Sequence, residues 1–234
     1  MENKKTIIAI IIVIVLISAL IGVSYFYNDF NTKQITRLTE ETNKILESNL
    51  TQDDIDLKIK TEKDYAQVEE AIKEYILNLK NIYEEMEEIV SGINPNSIFS
   101  AQNLQDKKFD EVENIVNEYK EKSQELISEY EELIKEENIK GNIAKKNFSI
   151  RNDYYIELYN EIMLSQTMKD LYIKLEEKVK NEKGSLYEKL NKIEKIKNFL
   201  EEHEKSWTIN GDKIQFNNLN RMTEYYSLLN QIID

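Results

Sequence analysis

Apolar positions along this chain form one uninterrupted block followed by a long series of helical stripes. From Ile7 to Tyr27 no residue is charged. As an α-helix that run rises about 31 Å, close to the roughly 30 Å hydrocarbon thickness of a bilayer. Lipid forces a spanning segment to pair its backbone groups internally, so the block is predicted to be a transmembrane helix over 7–27. Tyr25, Phe26 and Tyr27 then fall at one interface, where amphipathic rings prefer to sit. Lys4 and Lys5 precede the block, and Asn28, Asp29, Phe30, Asn31 and Thr32 follow it. The positive-inside tendency therefore puts residues 1–6 in the cytoplasm and the body of the chain outside. Gly22, Val23 and Ser24 offer small residues to a signal peptidase, and cleavage after Ser24 would give a secreted protein. The apolar run is at or beyond the roughly 7–15 residues of a signal peptide, which favours a retained anchor.

Beyond the block, Ile35, Leu38, Thr42, Ile45 and Leu46 recur at helical intervals and predict a juxtamembrane helix over 28–50. The alternating Ile55, Leu57 and Ile59 are set among charges and read as the ambiguous start of the next helix. That helix carries Tyr65, Val68, Ile72, Tyr75, Leu79, Ile82, Met86, Ile89 and Ile93, which step by three and four as heptad a and d positions do. Ile76, Tyr83 and Val90 widen the stripe, which suits a bundle more than a two-stranded coil. Asn94-Pro95 is predicted to stop it. A second run, Phe109, Val112, Val116, Tyr119, Ser123, Leu126, Tyr130 and Leu133, ends near Gly141-Asn142 and reads as the return arm of an antiparallel hairpin. A third, from Ser149 to about Lys183, is apolar much further round and is predicted to be the most buried helix. Gly184-Ser185 is expected to separate it from a helix with Leu186, Leu190, Ile193, Ile196 and Leu200. A last helix, with Leu219, Met222, Tyr226, Leu229 and Ile233, starts at a cap on Asn217 or Asn218.

Between the last two helices lies SWTINGDKIQF, residues 206–216. Asn210-Gly211 is a strong signal for a two-residue hairpin turn of type I′. Pairing about it sets Ile209 opposite Asp212 and Trp207 opposite Ile214, with Trp207, Ile209, Ile214 and Phe216 on one face. A lone hairpin is marginal in water, so that face is expected to close one end of the helices. The predicted fold class is all-α. An N-terminal transmembrane helix leads into an elongated antiparallel helical bundle over 51–234, with one small β-hairpin at about 206–216.

Composition agrees: one Pro and five Gly in 234 residues leave few breaks for long helices. The formal net charge is −13, and without Met1 to Tyr27 the body holds 29 basic and 43 acidic residues. Such a surface repels phosphate backbones, so no nucleic acid partner is expected. There is no Cys, which removes disulfides, thiol catalysis and Cys-ligated metals. The single His203 has no second His or Cys to complete a zinc site. It suits the negative end of a helix instead. Acidic pairs such as Glu84-Glu85, Glu87-Glu88, Glu131-Glu132 and Glu136-Glu137 lie between stripe positions and read as solvated faces, not shaped Ca²⁺ loops. No catalytic residue, metal or cofactor is assigned. Asn49-Leu50-Thr51 and Asn147-Phe148-Ser149 match glycosylation sequons.

The residues singled out for recognition are Trp207, Asn210 and Gly211 of the hairpin, with Tyr154 and Tyr225, each one of an adjacent Tyr pair at different azimuths. The expected function is a single-pass, extracytoplasmic binding or scaffold module of a bacterial envelope, an origin suggested by the Lys-, Asn- and Ile-heavy usage. Its expected partners are the bilayer through residues 7–27 and other proteins, and the heptad stripes leave homo-oligomers open. Two alternatives stand beside it: an extracytoplasmic ligand sensor signalling through a partner, since about six residues would lie inside, and a cytoplasmic, membrane-tethered coiled-coil adaptor.

Overall fold

A computed structural model describes residues 27–46 and 56–233 of the chain. Most of the span expected over 7–27, the cleavage position considered at Ser24, residues 1–6, expected in the cytoplasm, and the end of the helix expected over 28–50 fall outside the described residues. Among those described, no helix is long and apolar enough to cross a membrane. The elements are α1 (residues 27–46), α2 (Asp64–Ser91), α3 (Pro95–Ile98), α4 (Asp110–Leu133), α5 (Glu136–Ile143), α6 (Asn152–Met163), α7 (Gln166–Glu202), β1 (Trp207–Asn210), β2 (Lys213–Phe216) and α8 (Leu219–Ile233). The described residues divide into two compact units, one of residues 27–46, 56–76 and 140–165, the other of 77–139 and 166–233, and the boundary falls inside α2.

The first unit combines α1, the segment 56–63, the first half of α2, the end of α5 and α6. Its core takes Leu38 and Ile45 from α1, Tyr65, Val68, Ile72 and Tyr75 from α2, Ile143 from α5 and Tyr155, Tyr159 and Met163 from α6. The stripe expected in 28–50 is present, but Gln34 and Glu41 are buried along with Leu38, Thr42 and Ile45. Residues 56–63 are not the start of a helix: they run irregularly until α2 begins at Asp64. The buried Glu69 carboxylate accepts their backbone N–H groups, so helical bonds are not required there.

In the second unit the closest helix approaches are α7 with α8 and α7 with α4. The expected α2–α4 hairpin is not among them. Leu186, Leu190, Ile193, Ile196 and Leu200 of α7, Val112, Val116 and Leu126 of α4, and Leu229 and Ile232 of α8 form the core. α2 stops at Ser91, where a Cβ on Gly92 would come within 2.9 Å of the Glu88 carbonyl. Asn94 then caps α3 through Asn96 and Ser97, with Pro95 in its first turn, where a missing N–H costs nothing. The second run ends at Leu133, not near Gly141, and α5 is a separate helix that contains Gly141.

Two breaks differ from expectation. The helix predicted from Ser149 to about Lys183 is interrupted at Leu164-Ser165, without Gly or Pro, where Ser165 stands immediately before α7. Conversely α7 passes through Gly184-Ser185 unbroken, because Val179, Leu186, Leu190 and Ile193 keep one buried stripe in register across it.

The hairpin forms with Trp207 opposite Phe216 and Ile209 opposite Ile214. Gly211 and Asp212 are therefore the central turn residues, and positive φ falls on Gly211 alone (65°), the position that a type II′ turn reserves for glycine. The expected register was displaced by two, so the same four apolar side chains still share a face. Trp207 is fully buried, donates Nε1–H to the Leu200 carbonyl at 2.8 Å and meets Phe109 edge-on at 6.3 Å. Phe216 packs on Tyr225 of α8 at 5.2 Å. Asn218 caps α8 through the N–H groups of Asn220 and Arg221. α8 buries Tyr225, Leu229 and Ile232, while Leu219 and Tyr226 of its expected stripe are exposed.

The two glycines predict opposite outcomes. Gly184→Ala has open space for its methyl group and is expected to stabilise the fold by about 1 kcal/mol through helix propensity. Gly211→Ala, at φ +65°, is expected to cost about 1–2 kcal/mol. Urea unfolding of both variants checks the pair.

Candidate functional site

The first two turns of α2 organise an unusual concentration of buried polar and aromatic groups. Asp64 is buried and accepts the Ser149 N–H at 3.0 Å and the Ile150 N–H at 3.3 Å, which holds the loop before α6 against the start of α2. Glu69 is 1% exposed and accepts from Lys60 N–H, Thr61 N–H and Thr61 Oγ1. One turn on, the Lys73 ammonium lies 2.6 Å from Glu69 and 3.3 Å from Glu41 of α1, and donates to the Lys58 carbonyl at 2.9 Å. Burial alone would raise the Glu69 pKa. The Lys73 ammonium and the Thr61 and Lys60 donors outweigh it and hold the carboxyl below its ordinary value.

Above this polar node sits a cluster of rings. Tyr65 meets Phe30 of α1 at 6.4 Å, Tyr154 at 6.4 Å and Tyr155 at 5.1 Å, all edge-on, and Phe148 stacks on Tyr155 at 5.3 Å. The Tyr65 and Tyr154 hydroxyls share a hydrogen bond of 3.2 Å. Burial, then that bond, then the neighbouring phenols Tyr154, Tyr155 and Tyr27 push the Tyr65 hydroxyl far above its usual range. Tyr155 is pushed up to about 12, by burial first and then by Tyr27, Asp64 and Tyr154. Tyr27, where the described chain begins, lies three residues before Phe30 on α1. Two cations cap the rings: Lys63 lies 4.6 Å from the Phe30 centroid and Arg151 4.8 Å from that of Tyr154. Lys63 and Arg151 both have left-handed backbone, at φ 56° and 57°. Ile150 is 71% exposed and Tyr27 47%.

The residues expected to recognise a partner do not converge. Tyr154 is half-buried in this cluster. Asn210 and Gly211 are exposed at the hairpin turn, with the Asn210 amide donating to Gln215 Oε1 at 2.9 Å. Trp207 and Tyr225 belong to the core of the second unit, and it is Tyr226 that faces solvent. His203 follows α7 with its ring on Phe199 at 4.8 Å. A cleft of about 310 Å³ between α4 and α7 is lined by Glu113, Lys197, Glu194 and the apolar Val112, Val116 and Ile193. Its charges already satisfy one another, Lys197 with Glu113 and Glu194 with Lys120. Among the described residues no group of three or more His, Asp or Glu could hold a metal ion.

Sequence reasoning missed Phe30, Lys63, Tyr65, Phe148, Ile150 and Arg151 as a group. The alternation of Phe148 with Tyr154-Tyr155 near an exposed Ile-Arg pair is a local signal. Nothing local connects it to Phe30 or Lys63. Comparison with protein-family models, curated proteins and solved structures finds no match to this chain.

Glu69→Gln is expected to destabilise the fold by about 3–5 kcal/mol, because it leaves Lys73 short of a buried counter-charge. Replacing Glu69 and Lys73 together by Met should cost less than that single change. The native Glu69 pKa lies below its ordinary 4.5, so its contribution is present above pH 4.5 and is lost as pH falls through the lower native value. Chemical denaturation of both variants across that acid range measures all three effects.

Proposed function

We propose that this chain is a membrane-tethered helical module that works by binding on the extracytoplasmic side, without catalysis. The observation that carries the reading is the uncharged run from Ile7 to Tyr27, preceded by Lys4 and Lys5. It is long enough to span a bilayer and is oriented by the basic residues before it. The run gives way at Tyr27 to an amphipathic helix, α1, whose buried face carries Gln34, Leu38, Glu41, Thr42 and Ile45. A binding role is supported over a catalytic one by how the charged groups are spent. Glu69, the most buried carboxylate, is taken up by four donors. Asp56, whose carboxyl Lys60 lowers to about 2, is engaged with that residue and with the Lys58 N–H. General acid–base work needs a group left free to exchange its proton with a substrate. The acidic body favours a basic or neutral protein partner over anionic polymers.

Protease added to intact cells or protoplasts is expected to remove the body of the protein while leaving a short membrane-embedded fragment. Full protection of the chain would contradict the orientation. The mature N-terminus separates the two fates of the first segment: Met1 marks a retained anchor, and Tyr25 marks a secreted form.

A further inference from the structure

The geometry points to the exposed aromatic and cationic surface of the first unit, formed by Tyr27, Lys63, Ile150, Arg151 and Tyr154, as a contact site for phospholipid headgroups beside the anchor. This rests on the tethering proposed above and adds to it a second, folded point of contact with the bilayer.

The occupant follows from what adjoins the surface. The apolar run of residues 7–26 joins the described chain at Tyr27, one turn before Phe30, whose ring Lys63 covers and Tyr65 meets. If that run spans, the first folded surface that it meets is this one. The surface carries what the interfacial layer of a membrane favours. Tyr27 and Tyr154 have an apolar body and a polar tip, Ile150 stands 71% exposed, and two cations are available to lipid phosphates. In a chain of net charge −13 the charges around this surface balance, Lys33, Arg37, Lys63 and Arg151 against Asp29, Glu62, Asp64 and Asp153. Asp64 is buried and spent on backbone N–H groups. Asp29 is paired with Lys33 and Glu62 with Arg37. Asp153 is the one carboxylate in the stretch 147–154.

The patch is also held in shape. Ile150 and Arg151 project from a loop whose N–H groups are bound by Asp64, and Lys63 immediately precedes α2 in a left-handed conformation.

The absence of Cys permits a direct test with the full chain in phospholipid vesicles containing anionic lipid. Ile150→Cys, and Glu161→Cys as a reference about 14 Å along α6 from its start, are each labelled with an environment-sensitive fluorophore. Flotation reports anchoring, and a lipid-borne nitroxide quencher reports contact. The expected result is flotation of both proteins with several-fold stronger quenching at position 150 than at 161. Adding Lys63→Glu and Arg151→Glu should lower the quenching at 150 by about half or more, since each cation near an anionic surface is worth roughly fivefold in partitioning. Flotation with equal, weak quenching at both positions overturns the contact and leaves the tether standing. Failure of the wild-type chain to float overturns the tether and the contact with it.

Discussion

The first unit depends on one carboxylate. Residues 58–61 run beside α2 with no helix or sheet to receive their backbone N–H groups, and a buried N–H without a partner costs as much as a lost hydrogen bond or more. Glu69 supplies the missing acceptor for two of them and for the Thr61 hydroxyl. Its charge is tolerable at 1% exposure because Lys73 sits 2.6 Å away. Lys73 in turn binds Glu41, which ties α1 to the same node. Asp64, at the start of α2, does for the 149–150 loop what Glu69 does for 60–61. Three segments far apart in sequence are thus fastened to the first three turns of one helix.

A buried ion pair is an expensive fastener. Desolvation of both ions offsets much of their attraction, and well-packed apolar replacements often match or exceed it. What the pair provides here is direction: a carboxylate accepts only from donors placed around it, so it specifies where the irregular segments lie in a way that an apolar contact does not. The ring cluster above follows from that placement. Phe30, Tyr65, Phe148, Tyr154 and Tyr155 come from α1, α2, the loop and α6. Each edge-on or stacked pair is worth about 0.5–1.5 kcal/mol beyond its buried area. The left-handed residues Lys63 and Arg151 sit where the fastened segments turn into helices, so local backbone strain and the two exposed cations occur together.

Much of this was legible in the amino-acid sequence, and the limits have physical reasons. The a/d stripe from Tyr65 to Ile93 produced α2 because long amphipathic periodicity is the strongest local signal there is. The apolar face of the hairpin survived a register error because displacement by two residues preserves which side a strand residue faces. Gly184 misled because a glycine weakens a helix by only about 1 kcal/mol, less than the burial of Leu186, Leu190 and Ile193 on the far side of it returns. Tyr225 and Tyr226 were exchanged because one position on a helix is a turn of 100°, and a stripe defined by Leu219, Met222 and Tyr226 fits nearly as well as one defined by Tyr225, Leu229 and Ile232. The candidate surface was illegible for another reason. Its members are brought together by Asp64 and Glu69, two acidic residues that in sequence look like any others in an acidic chain.

The claim that buried carboxylates of α2 hold the non-helical segments is tested most directly by amide hydrogen exchange resolved to single residues. Lys60, Thr61, Ser149 and Ile150 lie outside every helix and strand, so ordinary loop behaviour would give them fast exchange. The account predicts slow exchange at Lys60, Thr61 and Ser149, approaching that of helical amides in α2, with Ile150 somewhat faster at its longer 3.3 Å bond. Exchange at all four as fast as in an unstructured peptide would contradict it.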